Sequence, residues 1–121
     1  MTAPARAYEQ DEPAECQSEK SLLGALMVVG HLHDVSPELR PEDFGNVQHQ
    51  AIYRLMLRLE EEEMGIDTTT VYDNLPPDLT GRSYLASLLD RIPRPDEEGI
   101  KDYVRCIRAA ALRRRMQQWG A

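Results

Sequence analysis

The sequence predicts an all-α fold, a compact bundle of about six helices, on three observations. Apolar residues recur at helical spacing in several separate stretches. Ser, Asp, Gly and Pro punctuate those stretches where helices start and stop. No segment alternates apolar and polar residues for long enough to read as a strand.

Residues 1–17 hold Pro4, Pro13 and mainly small or polar side chains without periodicity, the pattern of a disordered arm. A first helix is expected from Ser18 as N-cap to about Val29, with Leu22, Leu23, Leu26 and Val29 on one face and Gly30 as the stop. Gly24 lies inside that helix, "SEKSLLGALMV", where glycine costs about 0.5–1 kcal/mol relative to alanine. A close crossing with the stretch 47–59 would explain its presence. A short connecting helix is expected over 31–35, ending near Pro37. "RPEDFG" (40–45) reads as one tight turn, begun by Pro41 and ended by Gly45, from which Phe44 plugs the core.

The strongest helical signal is "NVQHQAIYRLMLRLEEEEMG". Val47, Ala51, Ile52, Leu55, Met56 and Leu59 form its stripe, opposed by Gln48, Gln50, Arg54 and Arg58, and Gly65 closes it. Asp67 then caps a short helix burying Val71 and Leu75, and "PPDLTG" is a loop by composition. "RSYLASLLDRI" turns Tyr84, Leu85, Leu88 and Leu89 inward until Pro93 and Pro95 break the chain. Asp96 caps the final helix, whose stripe is Ile100, Tyr103, Val104 and Ile107, continued weakly by Ala111. Its early Glu97 and Glu98 and its late arginines both suit the helix dipole. The resulting division is an arm (1–17), a helical head (18–95) and a C-terminal helix (96–121).

Composition narrows the function. The 121 residues suit one domain, and no apolar run approaches the roughly 20 residues of a membrane span. The N-terminus has no apolar signal region, so Cys16 and Cys106, in no CxxC pattern, read as reduced cytoplasmic thiols. All 21 acidic residues precede Arg105 together with nine of the 14 Lys/Arg, a net of −12, whereas the chain from Arg105 onward holds five arginines and no acid. Such an acidic body is a poor autonomous nucleic-acid binder, since that affinity comes mainly from neutralising phosphates. The arginine tail reads first as a solvated face, with a small DNA-binding helical module as its sharper alternative.

No catalytic motif emerges. There is no P-loop, no G-x-G-x-x-G and no H-E-x-x-H. His31, His33 and Asp34 are spaced wrongly for one ion on a helix, and the acid run 60–63 lacks calcium-loop spacing. His49 reads as a packed or capping histidine, with no nucleophile beside it. No cofactor or metal is expected.

The order of the pieces is more specific than any one of them. "SEKSLLGALMV" resembles the "AEQ-x-x-LG" helix that opens the N-terminal domain of DnaB-type replicative DNA helicases. "PEDFGNVQHQAIYRLMLRL" is similar to its "P-x-DFY…H-x-x-IF" turn and helix, "GIDTTTVYDNL" to its "PID-x-x-T" segment, and "YLASL" to its "YL-x-x-L" helix. "GIKDYVRCIRAAALRRRM" resembles its closing helix. Gly45 stands where the family has the aromatic of DFY, the loop between Thr70 and Tyr84 is shorter, and Gly99 replaces the region around an asparagine.

The resemblance implies a non-catalytic collar domain on a hexameric motor, pairing through helical hairpins into a trimer of dimers. It makes the last helix the first arm of such a hairpin. It also implies docking of the helicase-binding C-terminal domain of primase, and in some systems of a loader. Carried over by motif, the partner surface includes Gln17, Tyr84 and Gln117, while Gly24, Phe44, Ile52 and Tyr103 are structural. Two other readings keep a helical fold: a stand-alone adaptor or decoy for helicase or primase, and the related C-terminal domain of primase. The "DFG…HQAIY" and "GIDTTTV" stretches argue against the latter.

Overall fold

The computed structural model describes residues 14–32, 35, 37–76, 82–90 and 96–120. Among these the chain forms α1 (Ala14–Val29), a 3-10 turn η1 (Pro41–Asp43), α2 (Val47–Glu61), α3 (Thr68–Asn74), α4 (Arg82–Leu89) and α5 (Glu97–Gly120), with no strand. The fold is all-α, close to the expected helix number. α1 packs along α5 and α4 and more lightly on α2; η1 is wedged between α2 and α5; α3 bridges α2 and α4. The apolar stripes of all five helices meet in one core, with Leu22, Leu23, Ile52, Met56, Leu85 and Ile107 among its closed-off members.

Several boundaries differ from expectation, each for a local reason. α1 starts at Ala14, so residues 14–17 belong to the helix and Ser18 is not its cap. Alanine, glutamate and glutamine are competent helix formers. Residues 1–13 of the expected arm lie outside the described residues, as do the loop 77–81 and Pro93 and Pro95. Of the expected connecting helix over 31–35, residues 33 and 34 are likewise outside; Val35 N–H donates to Leu32 O at 3.0 Å, closing a turn. Gly30 does end α1, with φ +86°, the left-handed conformation that glycine takes without a Cβ penalty.

The long helix α2 ends differently. Its left-handed residue is Glu63, at φ 61°, not Gly65. Met64 N–H reaches back to Leu59 O at 2.9 Å and Glu63 N–H to Glu60 O at 3.0 Å, the paired bonds of a Schellman cap. A glutamate there bears strain that glycine lacks, and it sits in a run of four acids. Glu63→Gly is therefore expected to stabilise the domain by about 0.5–1 kcal/mol, read as a raised urea midpoint at unchanged slope.

Val47, expected on the buried stripe, is 72% exposed. It shares its row with Ala51, Arg54 and Arg58 at i+4, i+7 and i+11, which is the outer face. Tyr53, not expected inside, is fully buried, and its hydroxyl donates to Leu39 O at 2.9 Å. Burial, with Asp43 and Glu60 nearby, holds its phenol proton well above the usual tyrosine range. Caps fall where expected at two helices. The Asp67 carboxylate accepts from Thr70 N–H at 2.8 Å, a bond that lowers its pKa, and Asp96 accepts from Gly99 N–H at 2.9 Å.

Candidate functional site

Two polar residues sit on otherwise apolar stripes. Glu19 shares its face of α1 with Leu22, Leu23 and Leu26; His49 shares its face of α2 with Ile52, Tyr53 and Met56. Both side chains are completely buried and they face each other. Glu19 Oε1 meets His49 Nδ1 at 2.6 Å, and Glu19 Oε2 accepts the Gly45 N–H at 2.6 Å. His49 Nε2 lies 2.6 Å from the Tyr84 hydroxyl, with the two rings stacked at a centroid distance of 6.1 Å. With Glu19 ionised, Nδ1 carries the shared proton; a neutral imidazole then accepts the Tyr84 proton, and a protonated one donates instead. Either state leaves both ring nitrogens partnered, as burial requires.

The start of α2 aims this histidine. The Asn46 side chain accepts from Gln48 N–H at 2.8 Å and His49 N–H at 3.3 Å, fixing the first turn. Gln50 donates to Phe44 O at 2.7 Å, tying the helix to the preceding turn. Phe44 is 1% exposed and stacks obliquely on Tyr53, ring centres 5.0 Å apart, so it plugs the core from the turn as expected.

A second buried carboxylate, Asp43, closes the other side. Its Oδ2 accepts Arg40 N–H at 3.0 Å and its Oδ1 meets Arg115 Nη2 at 2.8 Å. Its carbonyl accepts from Arg114 Nη2 at 2.8 Å. A Cβ on Gly45 would lie 3.0 Å from Arg114 Nη1 and 3.5 Å from Glu19 Oε2. The guanidinium and the carboxylate thus approach the same glycine, and a side chain at 45 would crowd Arg114 from its first carbon. Glu19, Asp43, Gly45, His49, Tyr84 and the Arg114–Arg115 pair come from α1, η1, α2, α4 and α5, and together lock five elements at one polar centre.

The seven residues singled out from sequence divide clearly. Gly24 is buried in α1, whose main neighbours are α5 and α4 more than the 47–59 stretch of α2. Ile52 is fully buried, and Tyr103 is half-buried against the core. Gln17 and Gln117 are exposed near the start of α1 and on the outer end of α5. Tyr84 is half-buried and belongs to the polar centre through its hydroxyl. Tyr84→Phe is expected to cost about 1–2 kcal/mol, because it strands His49 Nε2 in the interior. Unchanged denaturation together with lost partner binding would return Tyr84 to a purely surface role.

The bonds inside the centre hold α1, α2 and α4 to one another. No group of three His, Cys, Asp or Glu side chains among the described residues is placed to hold a metal ion. His33 and Asp34 lie outside those residues, and His31 is exposed. No described helix is long and apolar enough to cross a membrane. Among the described residues Ala111 is the last buried apolar side chain on α5, and beyond it Leu112 is 55% and Met116 63% exposed.

A model of the DnaB-like helicase N terminal domain matches residues 11–109. The chain is 30% identical over 114 residues to the replicative DNA helicase DnaB of Geobacillus stearothermophilus, which covers 89% of the chain and 25% of that helicase. It is 27% identical over 110 residues to the replicative DNA helicase DnaC of Bacillus subtilis, covering 86% of the chain and 24% of that protein. It therefore spans about a quarter of the length of these relatives. The N-terminal domain of DnaB helicase from Mycobacterium tuberculosis, solved as a crystal structure, superposes with a TM-score of 0.75 at 28% identity, covering 85% of this chain and 78% of that one. The polar centre is built from the same stretches that carried the sequence resemblance, and with these matches the chain belongs to the DnaB-like helicase N-terminal domain family.

Proposed function

We propose that the chain acts as a non-catalytic interaction domain of a replicative helicase, contributing to collar assembly and to docking of primase or a loader. The observation that carries this reading is the outer end of α5. A 24-residue helix is about 36 Å long, and its last turns present Leu112 and Met116 to solvent. Apolar side chains held out on a rigid arm suit association with another chain. The polar centre fixes the angle of that arm against the head, which is what a docking platform requires. Gln17 and Gln117, exposed on α1 and α5, extend the candidate surface, whereas Tyr84 contributes mainly by holding His49.

Calorimetric titration with the helicase-binding C-terminal domain of the cognate primase tests the docking half. Saturable binding is expected, weakened by Gln117→Ala and by Met116→Asp at unchanged melting temperature. Sedimentation across a dilution series tests assembly, with a dimer expected that Met116→Asp disperses. A chain that stays monomeric and gives no binding heat overturns the reading, and ATP hydrolysis by the purified chain overturns its non-catalytic part.

A further inference from the structure

A groove of about 680 Å³ runs between α5 and the turn that leads through η1. Its α5 wall is a single row at i, i+4, i+7, i+11 and i+14: Lys101, Arg105, Arg108, Leu112 and Arg115. Glu38, Arg40 and Asp43 form the opposite wall, and Val104 and Ala109 the rest of the lining. Five cations against two carboxylates leave a net of three positive charges, on a chain whose total is −7. We infer that this groove docks one face of an acidic amphipathic helix from a partner protein, its carboxylates meeting Lys101, Arg105 and Arg108 and its apolar residues covering Leu112. The inference rests on the reading of α5 as an interaction arm and names the chemistry of what that arm takes.

Three features favour this occupant. The row from 101 to 115 extends about 21 Å along the helix, four turns of a partner helix laid beside it. Three of the row's four cations hold loose surface partners, Lys101 to Glu97 at 3.8 Å, Arg105 to Asp102 at 3.2 Å and Arg108 to Glu38 at 3.8 Å, while Arg115 stays on Asp43 at 2.8 Å. Exposed pairs of that kind contribute only about 0–1 kcal/mol each, so exchange for a partner's carboxylates costs little. Finally, Leu112 is 55% exposed within the row, between Arg108 and Arg115, and offers an apolar contact that a phosphate backbone does not use. Among the described residues, no aromatic side chain lines the groove on which a base could stack.

The test uses a helical peptide with Glu at i, i+3 and i+4 positions around a Leu stripe, a control with Gln for every Glu, and a single-stranded oligothymidylate. Binding is followed by fluorescence anisotropy and by amide chemical shifts on the intact chain. The acidic peptide is expected to bind in a salt-sensitive way, with shifts confined to residues of the groove. The Gln control and the charge-reversed variant Arg105→Glu/Arg108→Glu should each bind about tenfold more weakly, with Leu112→Ser losing less. These side chains are exposed, so circular dichroism should be unchanged. Equal affinity for the Gln peptide, shifts elsewhere, or tighter binding of the oligonucleotide in the groove would each overturn the inference. So would self-association that maps to the groove and is lost on charge reversal. Primase-domain binding that survives charge reversal removes the groove inference alone. Acidic-peptide binding by a chain that neither docks primase nor dimerises leaves the groove and removes the collar reading.

Discussion

Glu19→Ala should destabilise the domain by about 3–5 kcal/mol, a large part of the 5–15 kcal/mol that a domain of this size has in total. The substitution deletes both acceptors of a fully buried carboxylate, leaving the buried His49 Nδ1–H and the Gly45 N–H without their acceptor. Removing one partner of such a pair costs more than the pair is worth, because the survivor keeps its desolvation penalty. The companion variants make the argument specific. Glu19→Gln preserves an acceptor and should cost about half as much. The double variant Glu19→Leu/His49→Leu should cost less than the sum of its singles, with a coupling of about 1–3 kcal/mol. Urea denaturation at neutral pH measures all five, the two leucine singles included, and a loss below 1 kcal/mol for Glu19→Ala would mean that the pair is not sealed from solvent.

This pair also shows how far the sequence could be read. Helical periodicity located every element because the apolar stripes repeat within a few residues of one another. It missed the polar centre, since the burial of Glu19 depends on groups 26 and 30 positions away. A signal was nevertheless present. Glu19 precedes Leu22, Leu23 and Leu26 by three, four and seven residues, and His49 stands in the same relation to Ile52, Tyr53 and Met56. A polar residue in register with an apolar stripe asks for a partner, and two such residues on neighbouring helices answer each other. Boundaries were less legible, because cap chemistry is ambiguous locally. Ser18 has the composition of an N-cap yet lies inside α1, while Glu63 adopts the left-handed cap conformation two residues before the glycine that invites it. The exposed end of α5 was legible as composition only; which residues face out followed from where the head stops covering the helix.

Asp43→Ala should cost about 2–3 kcal/mol and should do something that Glu19→Ala does not, namely loosen α5 from the head. Asp43 is 5% exposed and its carboxylate bonds both its own turn, through Arg40 N–H, and the arm, through Arg115. The Arg115 side chain is 47% exposed, so Arg115→Ala leaves behind a carboxylate that still holds the Arg40 N–H and returns a small cost, about 1 kcal/mol or less. The asymmetry between the two ends of one ion pair is the diagnostic. Hydrogen exchange should accelerate at the amides of 112–117 and of η1 in Asp43→Ala, while the Ile52 and Met56 region of α2 stays protected. If the arm's angle is what an interaction partner reads, Asp43→Ala must also weaken docking under conditions where the head remains folded. Arg115→Ala, which keeps the turn intact, should weaken it less. Equal exchange across the whole chain would instead make Asp43 a general stabiliser with no particular hold on α5.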